Sequence, residues 1–78
     1  MFILYGIPNC PFCLKAKQLL DDMEILYKYH EIKIEMKSNF LNEISDKTKN
    51  QRTYPLIFHS DDFIGGFNEL EDYLAFME

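Results

Sequence analysis

The two cysteines of this chain stand three residues apart, in Cys10-Pro11-Phe12-Cys13. That spacing suits thiol–disulfide exchange. In the first turn of a helix it brings two side chains close enough to bridge, since the Cα atoms of a disulfide lie within roughly 7 Å of each other. The thiolate is the reactive species. A helix N-terminus stabilises it with unpaired N–H groups and the positive end of the macrodipole. A bridge here closes a tiny loop and adds little stability, so a purely structural disulfide explains the pair poorly. As zinc ligands the two cysteines are half a site, and neither His30 nor His59 has zinc-finger spacing to them.

The flanking residues must place that pair at the head of a helix. Phe2–Tyr5 is a short apolar run, as a buried strand would be, and Gly6–Asn9 reads as a loop. Pro11 has no N–H to donate, which suits the first helical position. Phe12, Ala16, Leu19, Leu20 and Met23 then follow helical spacing, with Lys15, Lys17, Gln18, Asp21 and Asp22 opposite them. Leu26–Ile34 is β-branched and aromatic and predicts a second strand. Ser38 reads as the N-cap of a helix through Phe40, Leu41 and Ile44 that fades into Lys47–Gln51. Pro55–His59 predicts a third strand, Ser60-Asp61-Asp62 a turn, and Phe63-Ile64 a short fourth strand. Asn68 and Glu71 fit a capping box ahead of a last helix with Leu70, Tyr73, Leu74 and Met77 as its apolar stripe. The order is β-α-β-α-β-β-α: a mixed four-stranded sheet, its first β-α-β unit a parallel crossover, flanked by helices.

Seventy-eight residues make one small domain, 1–78, that buries only about 60% of its unfolded surface. A hydrophobic content of 47% argues for a packed core rather than disorder. The net charge is −5 with the acids scattered and no basic stripe, which argues against nucleic acid as a partner. No run approaches the ~20 apolar residues of a membrane span, and Met1–Tyr5 is too short for a signal segment. A cytoplasmic protein is expected, where such a cysteine pair is catalytic or metal-binding.

Four features in the right order resemble the glutaredoxins, a small branch of the thioredoxin fold. They are Cys10-Pro11-Phe12-Cys13 after the first strand, Arg52-Thr53-Tyr54-Pro55 before the third, Ile64-Gly65-Gly66-Phe67 after the fourth, and the element order itself. The first is similar to the dithiol form Cys-Pro-Tyr-Cys, with Phe12 in place of Tyr. The second is similar to a basic residue followed by Thr-Val-Pro. The short chain matches the compact members of the family from bacteria and phages, and a phage origin would place it in the host cytoplasm.

The resemblance implies a glutathione-dependent oxidoreductase acting on protein disulfides and glutathione mixed disulfides, with ribonucleotide reductase among the expected protein partners. Cys10 is the expected nucleophile and Cys13 the more buried resolving thiol. Pro55 is expected cis, presenting the backbone of Tyr54 to an extended substrate. Gly65-Gly66 with Phe67 and Asn68 would form an anion site for the γ-glutamyl carboxylate of glutathione, using free N–H groups at a helix start. Arg52 would pair the other glutathione carboxylate, and Thr53 belongs to the same substrate-binding stretch. Lys15 and Lys17 are candidates to add positive potential near Cys10. Tyr5 and Phe12 are candidates for the cleft wall, though aromatics in so small a domain are more often core. His30 reads as a solvated or strand-edge residue, and His59 has no assigned role.

Two departures stand out. Ile7 occupies the position where many members carry a basic residue, which predicts weaker glutathione binding. Tyr54 is bulkier than the usual Val and sits beside the substrate path. Glutathione is thus the expected co-substrate, with no metal, and a monomer is the expected state. Two alternatives remain at this point. One is a redoxin fed by thioredoxin reductase. The other is a dimer bridged by a glutathione-ligated [2Fe–2S] cluster, which Pro11 after the first cysteine disfavours.

Overall fold

The computed structural model describes residues 1–77. The chain runs through β1 (Phe2–Gly6), α1 (Pro11–Asp22), β2 (Tyr27–Glu31), a 3-10 turn (Ile34–Met36), α2 (Lys37–Glu43), β3 (Leu56–His59), β4 (Asp62–Gly65) and α3 (Phe67–Phe76). The strands form one sheet in the order β2-β1-β3-β4. β1 and β2 are parallel, with Phe2 opposite Tyr27 and Gly6 opposite Glu31. β3 is antiparallel to both of its neighbours. The expected element order and mixed sheet are both present.

Strand alternation divides the core into two layers. Phe2, Leu4 and Ile57 point to one face and pack with Ala16 and Leu20 of α1 and Leu70 and Leu74 of α3. Each fully buried aliphatic side chain there contributes roughly 1.5–3 kcal/mol. Tyr5, Leu56 and Phe63 point to the other face, which Phe40, Leu41 and Ile44 cover from α2 and its C-terminal turn. Tyr5 packs on Phe40 at a centroid distance of 5.0 Å, so it lies in this second core layer. Among the described residues no buried side-chain polar atom lacks a hydrogen-bond partner. None of their helices is long and apolar enough to cross a membrane.

Several boundaries differ from the sequence reading. β2 stops at Glu31 because β1, its only partner, ends at Gly6. Ile32 N–H still reaches Gly6 O at 2.7 Å, and the chain then coils into the 3-10 turn. Leu26, assigned to that strand, lies outside it and is 80% exposed. α2 begins one residue before Ser38, with Met36 as a cap that has no side-chain bond, because the 3-10 turn feeds directly into it. α3 begins at Phe67 with Gly66, not Asn68, as its cap. On α1 the buried positions are Cys13, Ala16 and Leu20, while Phe12 and Met23 are exposed. Met77 is likewise exposed at the end of α3.

Candidate active site

The central strand β1 delivers the chain to the cysteines. After Gly6 the backbone turns through Asn9, which takes a left-handed φ of 56° that asparagine tolerates better than most residues. Cys10 is the N-cap of α1, with extended φ −116° and ψ 101°, and Pro11 follows in the first turn. Its sulfur accepts the N–H of Cys13 at 3.2 Å, and its carbonyl accepts the N–H of Leu14 at 3.1 Å. The cysteines are joined as a disulfide with Cα atoms 5.2 Å apart. Cys10 is half-buried, whereas Cys13 is 2% exposed. The two cysteines are therefore unequal: the first is partly open to solvent and the second is nearly covered.

On one side of the pair lies a groove of about 240 Å³, lined by Phe12, Thr53, Tyr54, Pro55, Gly66, Phe67, Asn68 and Glu69. Six of the expected binding residues, Thr53 through Pro55 and Gly66 through Asn68, thus meet in one place. The Tyr54–Pro55 bond is cis. Gln51, which the sequence did not single out, braces this stretch by donating to Thr53 O at 3.0 Å and Pro55 O at 3.2 Å. The Tyr54 hydroxyl donates to Lys37 O at 2.9 Å. Burial pushes the Tyr54 pKa above the ordinary tyrosine value, against a smaller opposing effect of Arg52. Phe12 forms the groove's outer wall, 52% exposed and 6.1 Å from the Phe67 ring.

Arg52 does not line the groove. Its guanidinium donates to Asn42 Oδ1 on α2 at 2.8 Å, at the surface. The glycine pair is also not an open set of donors. Gly65 takes a positive φ of 132° to end β4, but Gly66 N–H already donates to Glu69 Oε1 at 2.8 Å. Glu69 therefore places a carboxylate of the protein where the sequence predicted an anion site. Counting three residues on from a glycine cap would have found it, but glycine has no side chain to advertise a cap.

On the other side of the pair opens a second pocket of about 540 Å³, walled by Ile7, Asn9, Cys10, Pro11, Cys13, Leu14, Lys17, Tyr29 and Glu31. The Lys17 ammonium sits 4.1 Å from the centre of the Tyr29 ring. Lys15 instead covers the Phe12 ring at 5.0 Å. Ile7 stands on this wall, so no charge occupies its position beside Cys10. Among the described residues there is no group of three or more His, Cys, Asp or Glu arranged to hold a metal ion. His30 is exposed on the rim strand β2, as expected, with its ring stacked on Tyr5, and His59 packs on Phe2 while its Nδ1 meets the Tyr73 hydroxyl at 2.7 Å.

Comparison with known proteins gives a consistent result. The glutaredoxin family model matches residues 2–64. Glutaredoxin 1 of Rickettsia felis is 35% identical over 74 residues, covering 90% of this chain and 68% of the relative. The crystal structure of Glutaredoxin 1 from Francisella tularensis, complexed with cacodylate, superposes with a TM-score of 0.89 at 31% identity, covering 97% of this chain and 93% of that one. The reduced glutaredoxin of Escherichia coli has a TM-score of 0.73 at 24% identity, covering 95% of this chain and 92% of that one, and shares the thioredoxin-like fold.

Proposed function

This chain belongs to the glutaredoxin family of thiol–disulfide oxidoreductases, and from that premise we propose that it is a glutathione-dependent dithiol enzyme reducing protein disulfides and glutathione mixed disulfides. The observation that carries the reading is the inequality of the two cysteines: Cys10 caps α1 and is half-buried, while Cys13, one turn in, is almost fully buried.

The chemistry follows from that inequality. In the reduced protein the Cys10 thiolate is favoured by the N–H of Cys13 and the start of α1. It attacks one sulfur of a substrate disulfide, forming a Cys10–substrate bond and releasing the other sulfur as a thiolate. Cys13, as thiolate, then attacks Cys10 Sγ and displaces the reduced substrate, leaving the Cys10–Cys13 bridge. One glutathione thiolate opens that bridge at Cys10, and a second removes the first as glutathione disulfide. Two electrons pass from two glutathiones to one substrate disulfide.

The groove beside Phe12 suits glutathione. The Thr53–Pro55 edge offers backbone to an extended peptide. The start of α3 at Phe67 and Asn68 offers N–H groups to a carboxylate. Arg52 lies at the surface and reaches a second carboxylate by exchanging its Asn42 partner. Ile7 contributes no charge, and glutathione binding is weaker for it. We place the protein in the cytoplasm as a monomer, with ribonucleotide reductase among its disulfide substrates.

The test is a glutathione-coupled mixed-disulfide assay on wild type, Cys10→Ser and Cys13→Ser, with intact mass on each. Wild type is expected to be active and Cys10→Ser inactive. Cys13→Ser should retain deglutathionylation, lose protein-disulfide reduction and carry a glutathione adduct. Activity in Cys10→Ser would overturn the mechanism. Wild type reduced by thioredoxin reductase but not by glutathione would overturn the glutathione assignment. A coloured protein with iron and sulfide would point to the cluster-bridged dimer.

A further inference from the structure

Gly6 ends β1 directly beneath the cysteines, and the space over its Cα is crowded. A β-carbon there would overlap the Tyr29 hydroxyl, lie 2.7 Å from Tyr29 Cζ and lie 3.0 Å from Cys13 Sγ. The tip of Tyr29 and the sulfur of Cys13 therefore converge on one gap that only a glycine leaves open. Tyr29 reaches it from β2, with its ring held under the Lys17 ammonium of α1. Both residues also wall the larger pocket beside the disulfide.

Opening the Cys10–Cys13 bridge poses a problem that this convergence answers. A reductant thiolate attacks the accessible sulfur, Cys10. The new bond forms there, the Cys10–Cys13 bond breaks, and its electron pair departs on Cys13 Sγ. Cys13 as a residue is 2% exposed. A thiolate generated there has lost nearly all contact with water, and charge buried without a donor is costly. The N–H of Cys13 points to Cys10, not to its own sulfur.

We propose that the Tyr29 hydroxyl is the donor that receives the Cys13 thiolate as it leaves, and that Gly6 is glycine to let the two meet. The inference rests on the dithiol reading above and extends it to a residue outside the Cys-X-X-Cys segment. The hydroxyl turns its hydrogen toward the sulfur as charge develops, and the proton that finally neutralises Cys13 enters through the adjoining pocket. In the reverse sense the same bond holds Cys13 as thiolate when it must displace substrate from Cys10. The charged groups around the gap are Lys17 from α1 and Glu31 from β2. Burial, and then the Glu31 charge, raise the Tyr29 pKa above its ordinary value, so the hydroxyl keeps its hydrogen at neutral pH.

The decisive experiment compares Tyr29→Phe in two backgrounds, with folding verified by thermal melting. The first is stopped-flow reduction of the Cys10–Cys13 bridge by dithiothreitol. Tyr29→Phe is expected to slow it about tenfold, the worth of one hydrogen bond to a charged group. The second is glutathione attack on glutathionylated Cys10 in the Cys13→Ser protein, where sulfur 13 is absent. Tyr29→Phe is expected to change nothing there. An equal slowing in both backgrounds would reduce Tyr29 to a structural part of the site. No slowing in the first would end the proposal. Dithiothreitol makes the first arm independent of glutathione, so a wild type that glutathione fails to reduce counts against the proposed reductant and not against Tyr29.

Discussion

At the scale of single residues the site depends on groups that are small or plain. Gly6 is the sharpest case. Its backbone needs no unusual φ, yet a methyl group there meets Tyr29 and Cys13 at once. Gly6→Ala should therefore cost about 1–3 kcal/mol by overpacking. Urea denaturation will read this as a lower midpoint at unchanged slope. An unchanged midpoint would mean that the Tyr29 ring swings aside freely. The cysteines were legible from sequence because their chemistry and spacing are local. Gly6 was not, because what makes it necessary comes from β2, more than twenty positions further along the chain.

At the scale of elements the starts of the helices matter most. The Glu69 carboxylate closes the first turn of α3 on Gly66 N–H and complements the helix dipole. Glu69→Ala should lower stability by about 1 kcal/mol, read as a fall in the thermal midpoint. The same change removes a negative charge from the groove, so the apparent KM for glutathione should fall by roughly twofold to fivefold, the scale of one exposed charge pair. That gain should shrink at high salt. A rise in KM would show that Glu69 holds the ligand instead of repelling it. Element order was legible because each periodic stretch declares itself. Element ends were less so. β2 ends where β1 ends, α2 starts from a 3-10 turn that needs no capping side chain, and the cap of α3 is a glycine.

At the scale of the whole molecule, three tyrosines link folding to alkaline pH. Burial is the first cause of the raised pKa values of Tyr54, Tyr29 and Tyr27, with Glu31 adding to Tyr29 and Asp21 to Tyr27. An acid with a raised folded pKa holds its proton more tightly in the folded chain. Stability is then complete below the unfolded value of 10.0 and is lost as pH rises through the folded values. Thermal midpoints should stay level to about pH 9 and fall beyond about pH 10, less steeply in Tyr29→Phe. A curve no steeper in wild type than in that variant would dissociate the phenol from the effect. The groove lined by Thr53–Pro55 and Gly66–Asn68 could be assembled from the sequence because each of its segments is contiguous. The pocket of Lys17, Tyr29 and Glu31 was not, because it exists only once β2 has paired with β1 under α1. The sheet order has a last consequence. The cysteines hang from the interior strand β1, whereas Gly66–Glu69 hang from the rim strand β4. Rim segments fray through local openings, and interior strands open only with the whole domain. The Gly66–Glu69 side of the groove therefore fluctuates apart from the cysteines, whereas its Thr53–Pro55 side, which leads into the interior strand β3, is held with them.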